Sequence, residues 1–299
     1  MNGARVPPRG ARVIIAVAAA LLLLAGTRAE AFSGFNGSRI LATGGASQIE
    51  GAAGGGIVPW AVIAGYGSSS EWGVTGFYTH VSVDDYELDA AGVAAGYSNR
   101  IELSYARQQF DLGTLGDALG IDKQFRQDIF GAKVRLWGDL IYGRGPQVSA
   151  GVQYKRHLDF ALAGAVGAQR DDDLDFYVSA TKLFLAGLFD RNVFANATLR
   201  LSRANQIGIL GFGGDKDDSR DVLFEGSAGI FITRHIAVGF EYRQQPDNLS
   251  FAKQDDWFDA FIGVFPNKHV AVVAAYADLG SVATLDNQSG WYLSIEVSF

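Results

Sequence analysis

The sequence predicts an all-β fold, an antiparallel transmembrane β-barrel in a bacterial outer membrane. Three observations predict it: a first segment that reads as an export signal, strand-sized stretches alternating apolar and polar residues, and a final strand ending on an aromatic. Alternation is the primary signal, because successive side chains on a strand point to opposite faces. In the last stretch Trp291, Leu293, Ile295, Val297 and Phe299 fall on one face, and Tyr292, Ser294, Glu296 and Ser298 on the other. One face meets lipid and the other a wet lumen.

At the start, Arg5, Arg9 and Arg12 precede an apolar stretch from Val13 to Ala25, and Ala29-Glu30-Ala31 follows. A positive region, an apolar core and a small-x-small site make a secretory signal peptide, and this core is too short for the roughly 20 residues of a spanning helix. Residues 1–31 are therefore read as a signal peptide and residues 32–299 as a single barrel domain. The chain has 25 Lys and Arg against 32 Asp and Glu; losing four Arg and one Glu with the leader leaves 21 against 31, a net charge of −10. That balance disfavours nucleic acid as a partner. The absence of Cys removes the disulfide-scaffold reading for an exported chain.

Further strands follow the same rule. Val193, Ala195, Ala197, Leu199 and Leu201 oppose Asn192, Phe194, Asn196, Thr198, Arg200 and Ser202, and Ile236, Val238 and Phe240 oppose Glu241 and Arg243. Phe130, Ala132, Val134, Leu136 and Leu140 oppose Lys133, Arg135 and Asp139, which puts charges at mid-strand where a sandwich needs a dry face. Short connections are expected at Ser98-Asn99-Arg100, Gly143 to Pro146, Asp190 to Asn192, Thr233 to His235 and Pro266 to Lys268, with another near Ser68 to Glu71. Long ones are expected near Asp111 to Arg126, Asp159 to Asp172, Asn205 to Arg220, Asp247 to Gln254 and Leu279 to Ser289. Outer-membrane barrels carry short turns on the periplasmic side and long loops outside. Counting back from the last strand gives 14 strands if residues near Arg39 to Ile49 form the first, and 12 if that Gly-rich start is a plug or tail. Tyr66, Tyr97, Tyr142, Phe189, Phe265 and Phe299 lie beside the short connections and are expected to form a periplasmic aromatic girdle.

Several stretches resemble an uncharacterised bacterial family of predicted outer-membrane barrels, catalogued only as a domain of unknown function. They are Glu50 to Gly56 followed by Pro59-Trp60-Ala61, Phe110 to Gly116, Leu210 to Asp215, Gln245 to Leu249, Phe265 to His269 and Gly290 to Leu293. The resemblance implies location and architecture and nothing about a reaction. The ending Tyr292 to Phe299 likewise resembles the signal that the barrel-insertion machinery recognises, with Phe299 as its terminal residue.

The sharpest enzymatic candidate is His80-Val81-Ser82, since residues at i and i+2 share a strand face and can pair as base and nucleophile. Membrane-embedded lipid hydrolases look like this locally, but no third member is identifiable in the sequence, and the chain is read as not an enzyme. Asp171, Asp172, Asp173 and Asp175, and Asp215, Asp217, Asp218 and Asp221, match no defined calcium loop and read as solvated acidic loops, with a divalent-cation site as the alternative. Gly51 to Gly56 lacks the Lys-Ser/Thr ending of a phosphate loop and reads as a flexible or bulged turn. His80, His157, His235 and His269 are scattered, so neither a metal site nor a cofactor is expected. The remaining candidates are lumen charges: Lys133, Arg135, Asp139, Lys155, Arg200, Glu225, Glu241, Arg243 and Glu296, with Glu102 and Asp259 on comparable faces. They either select charged solutes or pair and fill the lumen. Barrels of about eight strands are filled and those of about 16 to 18 hold an aqueous channel. The chain between these limits is expected to be a narrow porin-like channel for small solutes, in contact with outer-membrane lipids. A structural or adhesive surface protein is the alternative, and a barrel lipid-modifying enzyme using His80 and Ser82 a further, less favoured one.

Overall fold

The computed structural model describes residues 39–120 and 124–299, without the side chains of residues 117–119. The signal peptide and its cleavage site lie outside the described residues. Two minimal strands come first, β1 (Ala46–Ser47) and β2 (Ala53–Gly54), paired with each other. Twelve strands then form the wall: β3 (Trp72–Val83), β4 (Glu87–Tyr97), β5 (Ile101–Asp111), β6 (Gln124–Trp137), β7 (Gln147–His157), β8 (Asp172–Leu188), β9 (Arg191–Ser202), β10 (Asp221–Thr233), β11 (Ile236–Arg243), β12 (Trp257–Asn267), β13 (Val270–Asp278) and β14 (Ser289–Ser298). Each wall strand pairs antiparallel with its chain neighbour, and β14 pairs with β3 to close the barrel. Closure leaves no unpaired sheet edge, which a lipid environment requires. Phe299 extends the seam: its N–H donates to the Val74 carbonyl at 2.7 Å and its carbonyl accepts from the Val74 N–H at 2.9 Å.

The wall has 12 strands, so the 14-strand expectation is corrected to its stated alternative. The reason lies in residues 39–66, which never enter the wall. Their run of small residues has no alternating apolar face to offer lipid, and instead they rise into the lumen and return, almost wholly buried. Gly54, Gly55 and Gly56 make this possible through close approach. A Cβ on Gly55 would stand 1.9 Å from Glu241 Oε1, and one on Gly54 2.4 Å from the Val58 carbonyl oxygen. The glycine run is thus a tightly seated turn, not a flexible one. The connection at residues 68–71 leads from this plug into β3.

Most connections fall as expected, short ones at one end and longer loops at the other, but the β6–β7 connection expected at Gly143 to Pro146 runs from Gly138 to Pro146, and at the long-loop end β3 and β4 are joined by Asp84 to Tyr86 alone. Between β4 and β5, the Arg100 N–H donates to the Tyr97 carbonyl at 2.9 Å, and the central residues of this turn, Ser98 and Asn99, both take positive φ, 56° and 48°, which matches the strand twist. Two short helices, α1 (Gly113–Leu119) and α2 (Ala161–Ala165), sit in the long loops. Strand β6 ends at Trp137 with a register shift after Arg135, so Leu140 lies beyond the strand.

Side chains sort by face. Leu103, Phe130, Val134, Leu136, Val178, Leu199, Phe240 and Trp291 are exposed on the outside, while Thr198, Arg200, Glu225, Glu241 and Ser294 are buried inside. An apolar exterior around a polar interior is the arrangement of a barrel that spans an outer membrane. At the short-turn end, Trp72 packs on Tyr97 at 4.8 Å, and Trp137, Tyr142 and Phe189 are exposed beside them. Tyr66 and Phe265, however, are buried: Tyr66 belongs to the plug, and Phe265 packs with Ala237 and Ala271. The girdle is therefore built partly from other residues than those expected.

Candidate functional site

The lumen is the candidate site, and the plug occupies its centre. Irregular backbone at membrane depth needs hydrogen-bond partners, and the wall supplies them as side chains. Glu102 accepts from the N–H groups of Ala53 and Ala64 at 3.1 and 2.8 Å, and Glu241 from those of Gly56 and Ile57 at 2.6 and 2.8 Å. Lys133 donates to the Ala53 and Trp60 carbonyls at 2.9 and 3.2 Å and lies 3.1 Å from Glu102. Gln147 and Ser149 both donate to the Ala61 carbonyl at 2.6 Å, and the Ala61 N–H donates to Thr181 Oγ1 at 2.7 Å. Glu296 accepts from Ser47 Oγ at 2.7 Å.

The plug also brings one charge, Glu50, which is 0% exposed. Three wall cations converge on it. Lys155 pairs with it directly, Arg243 Nη1 lies at 2.8 Å and Arg200 Nη2 at 3.4 Å. Asp175 and Glu225 complete the cluster: Lys155 to Asp175 is 2.6 Å, Arg200 to Asp175 3.3 Å, Arg200 to Glu225 2.5 Å and Arg243 to Glu225 3.5 Å. Three cations thus meet three carboxylates, and without Glu50 the wall would hold one unmatched buried cation. Breaking a buried pair in this way is far more costly than losing a surface one. Elsewhere the wall is acidic. Glu241 and Asp259 are registered partners on β11 and β12, and among the described residues Asp259 Oδ1 has no hydrogen-bond partner.

Lys155 reaches further, donating to the Ile207 carbonyl at 3.2 Å, and this ties the plug to the long-loop end. There the loop between β9 and β10 folds inward. Its Ile207, Ile209 and Leu210 share one buried apolar cluster with Ile49, Ile57 and Val58 of the plug and with Leu249 of the loop between β11 and β12. Gln206 and Ile207 hold φ of 46° and 59°, a costly conformation for a β-branched residue that the packing enforces. Apolar cavities of about 40 and 50 Å³ flank the plug on its two sides, a scale of a few waters.

Ion pairs fasten the outer loops. Arg170 holds the Asp218 carboxyl below the usual range, Arg126 does the same for Asp159, and Lys253 with Ser281 for Asp255. Asp255 accepts from Ser281 N–H and Oγ at 3.0 and 2.6 Å, joining two loops. A folded-state pKa below the unfolded value of about 3.9 gives stability that is present above that value and is lost as pH falls through the folded one. Loop amides are therefore expected to lose hydrogen-exchange protection below about pH 4 while the wall strands keep theirs. Unchanged loop protection at pH 3 would contradict the fastening role.

The lumen is where Lys133, Lys155, Arg200, Glu225, Glu241, Arg243 and Glu296 lie, together with Glu102 and Asp259. Arg135 and Asp139 differ. Arg135 sits at the short-turn mouth, where it donates to the Gly138 carbonyl, and Asp139 leaves β6 to accept from the N–H groups of Ile141 and Tyr142 at 2.9 and 2.7 Å. The expected mid-strand charge at 139 is thus a turn cap, because β6 ends two residues earlier. Asp175, expected in an acidic loop, is a buried member of β8 in the central cluster. Glu50 was missed, since a lone carboxylate in a glycine run carries no period that would mark it. His80 and Ser82 lie outside the lumen, on the outer face of β3, where His80 Nδ1 stands 2.8 Å from Asp89 Oδ1 on β4.

Among solved structures, the outer membrane protein Omp33 of Acinetobacter baumannii is similar at 10% identity and a TM-score of 0.48, over 78% of this chain and 100% of that one. The KdgM porin is similar at 9% identity and 0.47, over 75% and 99%, and the NanC porin at 14% and 0.44, over 76% and 98%. Likenesses this distant add nothing to the functional argument. No curated protein matches the chain significantly. Residues 43–296 do match the family described as "Protein of unknown function (DUF3034)". That span takes in the plug from Thr43 and reaches the closing strand, so the match covers the architecture just described, and the chain belongs to this family of outer-membrane β-barrels.

Proposed function

We propose that the barrel is a narrow solute channel held shut by residues 39–66. One observation carries the reading: the plug adds no strand to the wall, yet buried wall side chains such as Glu102, Ser149 and Glu241 are spent on holding it. A segment that leaves without breaking any ladder exposes a ready polar passage. That passage would carry the carboxylates Glu102, Asp175, Glu225, Glu241, Asp259 and Glu296 against Lys133, Lys155, Arg200 and Arg243. Six against four favours cationic solutes.

Planar-bilayer recording tests this on refolded protein. The full chain is expected to be mostly silent, and a variant lacking residues 39–66 to show stable, cation-preferring steps. Because the chain has no Cys, a pair introduced as Ala61→Cys and Thr181→Cys can lock the plug to the wall. Oxidation is expected to abolish openings and reduction to restore them. A deletion variant that keeps heat-modifiable migration, the mark of a closed barrel, yet conducts no more than bare lipid would return the protein to a purely structural role.

A further inference from the structure

We propose that Ser82, His80 and Asp89 form a lipid-facing acyl-ester hydrolase site on the outer wall, independent of the plugged lumen. Strand β3 alternates, with Thr79 and Val81 buried toward the lumen, so His80 and Ser82 share the outer face. The structure supplies the member that the sequence did not identify. Asp89 is the registered partner of His80 on β4, and its Oδ1 meets His80 Nδ1 at 2.8 Å. Tyr78 donates to the same oxygen at 2.5 Å and fixes the carboxylate. With Nδ1 engaged, the imidazole presents Nε2 outward as the basic atom. Among the described residues neither Nε2 nor Ser82 Oγ forms a hydrogen bond, with each other or with a third group, so the Ser82–His80 contact is one that closes on substrate. The side chains of His80 and Asp89 stay 20% and 33% exposed.

The site's height on the wall points to its substrate. Nearer the short turns, the outer face of β3 and β4 carries Trp72, Val74, Val93 and Tyr97, and Glu87 stands opposite Ser82 at the other end. Around the barrel, tyrosines near the long-loop end donate to acids: Tyr154 to Asp172 at 2.6 Å and Tyr242 to Asp256 at 2.5 Å. Such pairs mark the level where an apolar ring meets wet headgroups. Ester carbonyls of membrane lipids lie at that level. Trp291 and Leu293, registered beside Ser82 and His80 on β14, offer an apolar flank for an acyl chain, and Asp89 and Glu87 occupy the polar side.

The reaction is ester hydrolysis with water as co-reactant. Ser82 Oγ bonds to the ester carbonyl carbon as its proton passes to His80 Nε2. The carbon–oxygen bond to the alcohol breaks, and the leaving alkoxide takes that proton. Water then attacks the acyl-Ser82 ester, His80 removes a proton from the water and returns it to Ser82 Oγ, and a fatty acid departs. Strand β3 is laddered on both edges, so its N–H groups are spent and solvent must stabilise the oxyanion. Lacking one built oxyanion donor costs about 10²–10³ in rate, so slow turnover is expected.

The test uses the full chain refolded into phosphatidylethanolamine vesicles, with free fatty acid measured over hours. Wild type is expected to release fatty acid and to be labelled by a fluorophosphonate. S82A should lose both, with release falling to the vesicle background and heat-modifiable migration retained. Asp89 is a positioning residue, so D89N is expected to lower kcat by up to about 10⁴-fold with KM unchanged. Equal fatty-acid release by wild type and S82A, or no release from either, would overturn the assignment.

Discussion

Glu50→Gln is expected to release the plug while leaving the barrel intact. The substitution keeps shape and removes the charge on which Lys155, Arg200 and Arg243 converge. Lys155 retains Asp175 at 2.6 Å and Arg200 retains Glu225 at 2.5 Å, whereas Arg243 is left with Glu225 at 3.5 Å. Removing one partner of a buried ion pair costs about 3–5 kcal/mol. The cost falls on the closed state, because the wall ladders do not pass through Glu50. At about 1.4 kcal/mol per factor of ten, the balance between closed and open shifts roughly a hundred- to several-thousand-fold. Open probability in bilayers and protease access to residues 39–66 should rise together. Adding Arg243→Gln restores two cations against two carboxylates and is expected to recover part of the closure, a coupling that a double-mutant cycle measures. If E50Q stays as silent and as protected as wild type, the cluster does not latch the plug.

Ala197→Arg is expected to damage folding more than any lumen substitution that leaves the charge balance intact. Ala197 lies at the middle of the outward run Val193, Ala195, Ala197, Leu199 and Leu201 of β9, exposed between Ala180 and Gly226 on the neighbouring strands. An Arg facing the bilayer midplane of a barrel costs about 2–4 kcal/mol, falling to about 0–1 kcal/mol near the interface. Leu136→Arg is outward too, but it sits one residue from the end of β6 and is expected to cost only the smaller amount. Arg135→Ala, at the mouth, should leave folding unchanged. Refolding free energies from denaturant titration in lipid decide the order. Equal stability of A197R and L136R would show that the wall is not immersed as described.

The wall was legible from sequence because lipid outside and a polar interior impose a period of two on every strand. Trp291 to Ser298 and Val193 to Ser202 display that rule without any tertiary information, and turn residues such as Ser98-Asn99 mark where each strand reverses. The lumen charges Lys133, Lys155, Arg200, Glu225, Glu241, Arg243 and Glu296 follow from the same count. Two kinds of fact had no such period behind them. The plug's place was decided by close packing, since only the assembled barrel sets Glu241 and Tyr292 against the backbone of Gly55 and Gly56. Charge partners were decided by register: Glu50 meets Lys155 across 105 residues and Arg243 across 193, and Asp89 meets His80 only because β3 and β4 pair at that row. Alternation fixes which face a side chain takes, whereas its neighbours on that face depend on strand stagger and barrel closure, which act over separations that no local pattern encodes.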